Sequence, residues 1–248
     1  MPDLAMLSLE RQNELREAYR ASHPGWRPAT EVFAGWVRDA IHPGNKVLDL
    51  GCGRGGLVEQ LTHPLELIVG VDPDYLSLQE HRLASREPPM ARVNGASSHL
   101  PLASNSFDVA FATWVLEHME APALDFHEIG RVLRPGGVFV FVTPNKGHPL
   151  ISFNRLTGRI GGLQDRLVER LYGRQAADTY PAYYLANSPQ QITGLAQHAG
   201  MLLEQIEAVA DPTYLAFRPS LYRLATAIEE RLPENRAIHL VGMVRKLG

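Results

Sequence analysis

Residues 47–56 read VLDLGCGRGG, a short apolar run that passes directly into a glycine-rich turn. Gly51, Gly53 and Gly56 have the G-x-G-x-x-G spacing of a dinucleotide-binding turn, although this spacing alone is weakly specific. Glycines that follow a strand are also common as plain turn residues. What distinguishes this turn is an acid, Asp49, which stands two residues before its first glycine.

The acid at position 49 changes which ligand the turn is expected to accept. A pyrophosphate would lie against the amide-rich start of the next helix. Two unit charges about 4 Å apart interact by roughly 4 kcal/mol at an effective dielectric near 20, so Asp49 opposes a phosphate and favours an amino group or a sulfonium. Asp72, at the end of VGVD, is placed to accept hydrogen bonds from a ribose diol. Alternatively, Asp72 caps the next helix, a role for which Asp74 competes.

Short apolar runs alternate with helical patterns along the chain. The expected strands are KVLDL, ELIVGVD, ARVNG, FDVAFAT and VFVFVTP, and the expected helices include residues 8–21, ATEVFAGWVRDAI, LVEQLT, DYLSLQEHRLAS and ALDFHEIGRVL. This alternation implies an α/β fold whose doubly wound parallel sheet is covered on both faces. Ligands of such folds lie beyond the carboxyl ends of the strands, where the loops after the first, second and fourth strands are expected to meet.

Composition and length set the broad class of the protein. The 248 residues predict one domain, 1–248, with a helical segment at 1–44 and an insertion at 147–187 that is expected to cap the substrate pocket. The net charge of −3 predicts no strong attraction to nucleic acid. No apolar run is long enough to cross a bilayer, so we expect a cytoplasmic protein. The lone Cys52 makes no internal disulfide.

Four segments, in the expected order, resemble the class I S-adenosylmethionine-dependent methyltransferases of the methyltransferase type 11-like family. They are VLDLGCGRG, VGVDPD, FDVAFATWVLEHM and VLRPGGVFVFVTPN, and they lie within residues 45–146. The resemblance implies a Rossmann-like, mostly parallel sheet of seven strands with an antiparallel last strand. It also implies S-adenosyl-L-methionine as the cofactor.

The same resemblance implies the cofactor contacts residue by residue. Asp72 would take both ribose hydroxyls and Pro73 would flank the adenine. Where the family often has an acid that accepts from the adenine amino group, this chain has Ala96 followed by Ser97, so adenine recognition is expected to rest on backbone groups and Ser97. The implied contacts are Asp49, Gly51, Cys52, Gly53, Asp72, Pro73, Ala96, Ser97, Thr113 and Trp114.

A methyltransferase must chiefly hold its acceptor about 3 to 3.5 Å from the methyl carbon, and a hydroxyl acceptor must also lose its proton. His118, in VLEHM, is the candidate general base because imidazole titrates near neutral pH. The alternative is a structural histidine, since family members with unrelated chemistry carry the same LEH. Glu117 and His118 also resemble part of an E-x-x-E-H metal pattern, but Trp114 replaces its first acid, so we predict no metal.

The acceptor is expected to be a small molecule or a lipid- or glycan-linked group, methylated at oxygen, with nitrogen and carbon left open. Tyr183 and Tyr184, in DTYPAYYLANS, are candidate acceptor contacts because they offer ring faces and hydroxyls; alternatively they only hold the insertion in place. Arginines recur between Arg155 and Arg174 beside leucines. This pattern fits a solvated face, or a lid that contacts a membrane surface or an anionic acceptor.

Two other functions fit parts of the same pattern. An NAD-dependent oxidoreductase agrees with the glycine spacing and with Asp72, but it disagrees with Asp49, and no Tyr-x-x-x-Lys sequence occurs. A catalytically silent protein that keeps the fold for binding would take up the cofactor without turnover. The function that the sequence favours is a transferase that uses S-adenosylmethionine for methylation.

Overall fold

The computed structural model describes residues 9–57, 60–80, 90–152, 180–215 and 219–248. Most of the predicted cap insertion lies outside these ranges, and so do the arginines between Arg155 and Arg174. The helix predicted over LVEQLT falls partly outside them, because residues 58 and 59 are not described. The role of the cap and of its arginines therefore stays a prediction.

The chain forms two compact units, each assembled from separate segments. One consists of Met1–Ala29, Asn145–Pro181 and Ala208–His239, and the other of Thr30–Pro144, Ala182–Glu207 and Leu240–Gly248. We call the first the helical unit and the second the sheet unit. The expectation of a single domain over 1–248 stays a prediction.

The sheet unit is built on a sheet of seven strands. These are β1 (Lys46–Leu50), β2 (Leu67–Asp72), β3 (Met90–Asn94), β4 (Phe107–Thr113), β5 (Leu133–Pro144), β6 (Met201–Val209) and β7 (His239–Lys246). Their order is β3-β2-β1-β4-β5-β7-β6. Strands β1 to β5 pair in parallel and the last strands are antiparallel, which confirms the predicted fold.

The strand order reverses at β1, and this point positions the site. Strand β1 pairs with β2 on one side and with β4 on the other. The carboxyl ends of these three strands, at Leu50, Asp72 and Thr113, therefore border one crevice. Ligands of doubly wound sheets bind in such a crevice.

Helices cover the sheet because its central strands β1, β2 and β4 are buried on both faces. The described helices of this unit are α2 (Ala29–Ala40), α3 (Tyr75–Glu80), α4 (Pro122–Val132) and α5 (Pro189–His198). Phe33 of α2 meets Phe111 of β4 with ring centroids 6.2 Å apart. Phe126 of α4 meets Phe139 of β5 edge-on at 6.1 Å.

Strand β5 begins earlier than the sequence predicts. The prediction placed its start at Val138, after the Pro135 turn signal, but β5 begins at Leu133. Its pairing with β4 shifts register between Phe107 and Val109. Pro135 and the glycine pair that follows it therefore lie at a bulge within β5, where the extra residues interrupt the pairing without ending the strand.

The helical unit contains α1 (Leu9–Ser22) and α6 (Pro219–Glu229). Its interior holds a polar pair, in which His148 Nε2 and Glu229 Oε1 are 3.6 Å apart. Burial lowers the pKa of His148 to about 4 and raises the pKa of Glu229 to about 7. Throughout the described ranges, no helix combines the length and the apolar character that a membrane crossing needs.

Candidate functional site

The glycine turn after β1 has a backbone that only glycine adopts without strain. Gly51 and Gly53 have φ values of 74° and 48°, in the left-handed region. The amides of Gly51 and Cys52 donate to the carbonyl oxygen of Val71, at 2.8 and 3.2 Å, which fastens the turn to the end of β2. A Cβ atom on Gly51 would lie 2.3 Å from Val115 Cγ2. The turn is therefore closely fitted to the loop after β4.

Of the two acids that the sequence offered as the cap of α3, the structure uses Asp74. Asp74 caps α3, because its carboxylate accepts from the Leu76 amide at 3.0 Å and from the Ser77 hydroxyl at 2.6 Å. Asp72 instead accepts from the amides of Gly53 and Asp74, each at 2.8 Å and each on a different carboxylate oxygen. Since a carboxylate oxygen has two acceptor positions, each oxygen of Asp72 can still accept one more hydrogen bond.

A cavity of about 490 Å³ opens beside the glycine turn. Six of the predicted cofactor contacts line it, namely Asp49, Gly51, Cys52, Gly53, Thr113 and Trp114. Pro73, Ala96, Ser97 and Asp72 are not among its lining residues, and neither are His118, Tyr183 and Tyr184. The structure therefore brings six of the implied cofactor contacts together at one cavity, while their contact with a cofactor stays a prediction.

Helix α2 forms a wall of this cavity that sequence reasoning missed. Its lining residues include Thr30, Phe33 and Arg38. Arg38 is exposed, whereas Asp49 is only 5% exposed, so the cavity has a basic group at its surface and an acid in its depth. The apolar periodicity of α2 predicted a helix but contained no signal for which turn it would cover.

Trp114 follows β4 in a strained conformation. Its φ is 57°, a region that non-glycine residues seldom adopt, and its amide donates to the Val142 carbonyl oxygen at 3.0 Å. Strain of this kind persists only where the surrounding structure holds it, and it is frequent at ligand sites. The position of Trp114 in the cavity wall agrees with that tendency.

The cysteine of the turn is unsuited to nucleophilic chemistry. Cys52 is a buried free thiol. Burial, followed by the negative charges of Asp49 and Asp72, raises the pKa of this thiol well above its usual range. The nucleophile in cysteine chemistry is the thiolate, so a thiol held protonated is inert. Cys52 therefore contributes a small side chain to the turn.

His118 and Glu117 belong to a short 3-10 turn, Leu116–His118, after β4. His118 is half-buried and its amide donates to the Val115 carbonyl oxygen at 2.9 Å. Glu117 is buried, and its Oε2 accepts from the Thr143 hydroxyl at 3.0 Å. Thr143 in turn accepts from Asn187 Nδ2 at 2.6 Å. Asn187 is fully buried in this network.

Glu117→Gln is expected to change how stability depends on pH. Burial raises the pKa of Glu117 to about 7, from an ordinary value of 4.5. Between these values the folded protein holds a proton that the unfolded chain has lost, so this group lowers stability as the pH rises. Glutamine does not ionise. In urea unfolding, the stability of the variant relative to wild type should therefore rise by about 2 to 3 kcal/mol from pH 5 to pH 8.

The other titrating groups are common to both proteins and cancel in this difference. Glu120→Gln, at an exposed position three residues further on, is the matched control and should follow the wild-type pH profile. Parallel profiles for wild type and Glu117→Gln would contradict the raised pKa of Glu117.

The two predicted acceptor tyrosines lie beside the Glu117 turn through their main chain. The amides of Tyr183 and Tyr184 donate to the Glu117 carbonyl oxygen at 2.7 and 3.2 Å. Tyr183 is 38% exposed, whereas Tyr184 is 7% exposed and has a φ of 54°. Of the two side chains, Tyr183 is the more accessible to an acceptor, and contact of either with one stays a prediction.

The adenine positions that the sequence predicts lie beside one another after β2 and β3. Asn94 Nδ2 donates to the carbonyl oxygens of Asp72 and Pro73 at 3.0 and 2.9 Å. Ser97 Oγ lies 2.5 Å from Asp125 Oδ1, on α4. Sequence reasoning missed Asp125, because nothing in the helical pattern of α4 signals a partner that lies 28 residues earlier in the chain.

The described residues contain no cluster of three or more His, Cys, Asp or Glu side chains that could hold a metal ion. Metal independence stays a prediction, to be tested by activity after treatment with a chelator. Loss of activity that magnesium restores would refute it.

Comparisons with known proteins agree with this geometry. A family model described as a methyltransferase domain matches residues 48–141. A protein from Mycolicibacterium smegmatis named "Probable S-adenosylmethionine-dependent methyltransferase" is 31% identical over 177 residues, which is 68% of this chain and 66% of that protein. The chain spans about half the length of the first curated relatives it matches, with 42% of a Streptomyces fradiae transposon protein and 54% of a methyltransferase from Mycobacterium sp. strain KMS.

Solved structures share the fold at low sequence identity. A methyltransferase from Haloferax volcanii, in complex with the activator Trm112, has a TM-score of 0.65 at 16% identity and covers 96% of this chain and 93% of its own. Geranyl diphosphate methyltransferase, solved with S-adenosylmethionine, has a TM-score of 0.60 at 14% identity, over 87% of this chain and 85% of its own.

With its sheet order, its glycine turn and these matches, the chain belongs to the class I S-adenosylmethionine-dependent methyltransferases. S-adenosylmethionine is the cofactor of this family.

Proposed function

We propose that this chain transfers the methyl group of S-adenosylmethionine to a hydroxyl oxygen of a small molecule or of a lipid- or glycan-linked acceptor. The observation that best supports the proposal is the charge distribution of the 490 Å³ cavity, in which Asp49 is buried and the other charged lining residues, Glu31, Arg38 and Arg54, are exposed. The methionine portion of the cofactor has a cationic amino group and sulfonium, and an anionic carboxylate. Asp49 attracts the cations and Arg38 attracts the carboxylate.

The nucleoside portion is assigned to the neighbouring strand ends. The two oxygens of Asp72 accept the ribose hydroxyls in addition to the Gly53 and Asp74 amides that they already bind. Pro73 is exposed beside Asp72 and flanks the adenine. Ala96 and Ser97 approach it from the loop after β3. This assignment uses every predicted cofactor residue outside the cavity.

His118 acts as the general base in the proposed reaction. When bound, the cofactor supplies a methyl group that is already activated on a sulfonium. What the protein must add is orientation of the acceptor and removal of the hydroxyl proton. The imidazole of His118 takes that proton, and Tyr183, with its exposed ring, orients the acceptor. The net charge of −3 favours a neutral or cationic acceptor over nucleic acid. The proposed location is the cytoplasm.

Calorimetry with S-adenosylmethionine, S-adenosylhomocysteine and NADH tests the cofactor assignment. Both sulfur nucleosides should bind, and NADH should not, because its pyrophosphate would face Asp49. Binding of NADH alone would favour an oxidoreductase and end the proposal.

Transfer is tested with methyl-labelled cofactor and a panel of phenols, sugars and isoprenoid-linked hydroxyls. The expected result is a labelled ether. His118→Gln should lower the rate constant while leaving the affinity for S-adenosylhomocysteine unchanged. If the cofactor binds but no acceptor in the panel is labelled, the catalytically silent alternative is favoured.

A further inference from the structure

The loop after β3 lacks a side chain that could accept a hydrogen bond at the position where the family often has an acid. Ala96 occupies that position, and it is exposed. The next residue, Ser97, is half-buried. The two side chains that directly follow Ala96, those of Ser97 and Ser98, are hydroxyls, which in general both donate and accept.

Contacts among the strand ends place this loop next to the assigned nucleoside positions. Asn94 Nδ2 donates to the main-chain carbonyl oxygens of Asp72 and Pro73, and the Gly95 amide also donates to that of Asp72, at 3.2 Å. The Asp72 carboxylate binds the amide of Gly53, which lines the cavity. A continuous series of hydrogen bonds thus joins the cavity to the loop that carries Ser97.

Asp125 removes the donor function of the Ser97 hydroxyl. Its Oδ1 lies 2.5 Å from Ser97 Oγ, within the range of a hydroxyl that donates to a carboxylate. Asp125 is 2% exposed, and its Oδ2 has no hydrogen-bond partner among the described residues. The proton of the Ser97 hydroxyl is therefore directed at the buried Asp125 carboxylate. The Ser97 hydroxyl can then accept a hydrogen bond from a ligand but cannot donate one.

We infer that Ser97 and Asp125 together recognise the exocyclic amino group of the cofactor's adenine. Ser97 accepts one N–H of that group. Asp125 does not touch the base and is a positioning residue, which holds the serine proton on the protein side. The pair replaces the acid that the family often has at position 96, and its carboxylate, that of Asp125, comes from α4 instead of from the loop. The inference rests on the proposed use of S-adenosylmethionine.

The consequence is selectivity between purines. A base with a carbonyl oxygen in place of the amino group would bring its lone pairs against those of Ser97 Oγ, and the buried Asp125 prevents the hydroxyl from turning its proton outward. A site that is built for a donor rejects a ligand without one more strongly than an apolar surface would. Ser97 alone, free to rotate, would accept both bases.

Calorimetry with S-adenosylhomocysteine and its deaminated analogue S-inosylhomocysteine tests this inference. Wild type should prefer the adenosyl compound by about tenfold or more. Asp125→Asn and Ser97→Ala should each reduce this ratio to about threefold or less, because the amide introduced by the first can donate to Ser97 Oγ and so free the serine proton, and the second removes the acceptor. Ser98→Ala, at the half-buried neighbouring serine, is the matched control and should keep the wild-type ratio.

The ratio of two affinities is unaffected by a loss that is common to both ligands, so a merely structural role of Asp125 leaves it unchanged. If Asp125→Asn does not fold, Ser97→Ala decides the result. An unchanged ratio in the folded variants, with S-adenosylhomocysteine still bound, overturns the inference and leaves the proposed function standing. If wild type binds neither compound, the proposed function fails and the inference fails with it.

Discussion

Asp72→Ala is expected to weaken the binding of S-adenosylhomocysteine by about 100-fold. In the proposed complex its carboxylate accepts two ribose hydroxyls, and hydrogen bonds to a charged group contribute about 1.5 kcal/mol each, where 1.4 kcal/mol is a tenfold change in affinity. The substitution also releases the amides of Gly53 and Asp74, so the glycine turn loses one of its attachments to β2, while the bonds of Gly51 and Cys52 to Val71 remain. Calorimetry on the folded variant measures the loss.

Asp74→Ala is the control for this variant, two residues away and with the same change of charge. Asp74 caps α3 through Leu76 and Ser77, so its removal should lower stability by about 1 kcal/mol. The affinity for S-adenosylhomocysteine should stay within about threefold of wild type, because the ribose contacts do not involve this side chain. Equal losses of affinity in both variants would show that Asp72 acts through general charge, and unchanged affinity in Asp72→Ala would falsify the ribose assignment.

Gly51→Ala is expected to damage both stability and cofactor binding. The backbone at Gly51 has a φ of 74°, which costs an alanine about 1 to 2 kcal/mol. The added methyl would also meet Val115 Cγ2 at 2.3 Å and push on the loop that follows Trp114. We expect a loss of stability of about 3 kcal/mol and an affinity for S-adenosylhomocysteine at least tenfold weaker, measured by urea unfolding and calorimetry.

Gly194→Ala gives the opposite expectation from the same chemical change. Gly194 lies within α5, without a positive φ, and a Cβ atom there meets nothing within 4 Å. Alanine at such a position stabilises a helix by about 1 kcal/mol and should leave cofactor affinity unchanged. If Gly51→Ala were as well tolerated as Gly194→Ala, the close fit between the turn and Val115 would be wrong.

The strands of the sheet could be predicted because their apolar sequence pattern matches their burial in the folded protein. KVLDL and FDVAFAT read as buried strands and form β1 and β4, and their neighbours follow the same rule. The start of β5 was not predictable, since Pro135 and two glycines are turn signals in a sequence. Only pairing with β4 shows that they form a bulge at which the strand continues.

In the candidate site, too, the residues that sequence could identify are those whose partners lie nearby in the chain. Asp49 and the glycine turn are recognisable in the sequence because their chemistry lies within a few residues. The choice between Asp72 and Asp74 as the helix cap required hydrogen-bond geometry. Arg38 in the cavity wall and Asp125 behind Ser97 come from helices that are distant in sequence from the turns they face, so no spacing rule could find them.

The segment that carries Tyr183 is fastened by main-chain groups, since the amides of Tyr183 and Tyr184 both donate to the Glu117 carbonyl oxygen. An amide makes this bond whatever side chain accompanies it, proline excepted. Natural drift or directed evolution can therefore replace the exposed ring at position 183 while both main-chain hydrogen bonds to Glu117 are kept. Position 183 is a point from which libraries that seek new acceptors can begin.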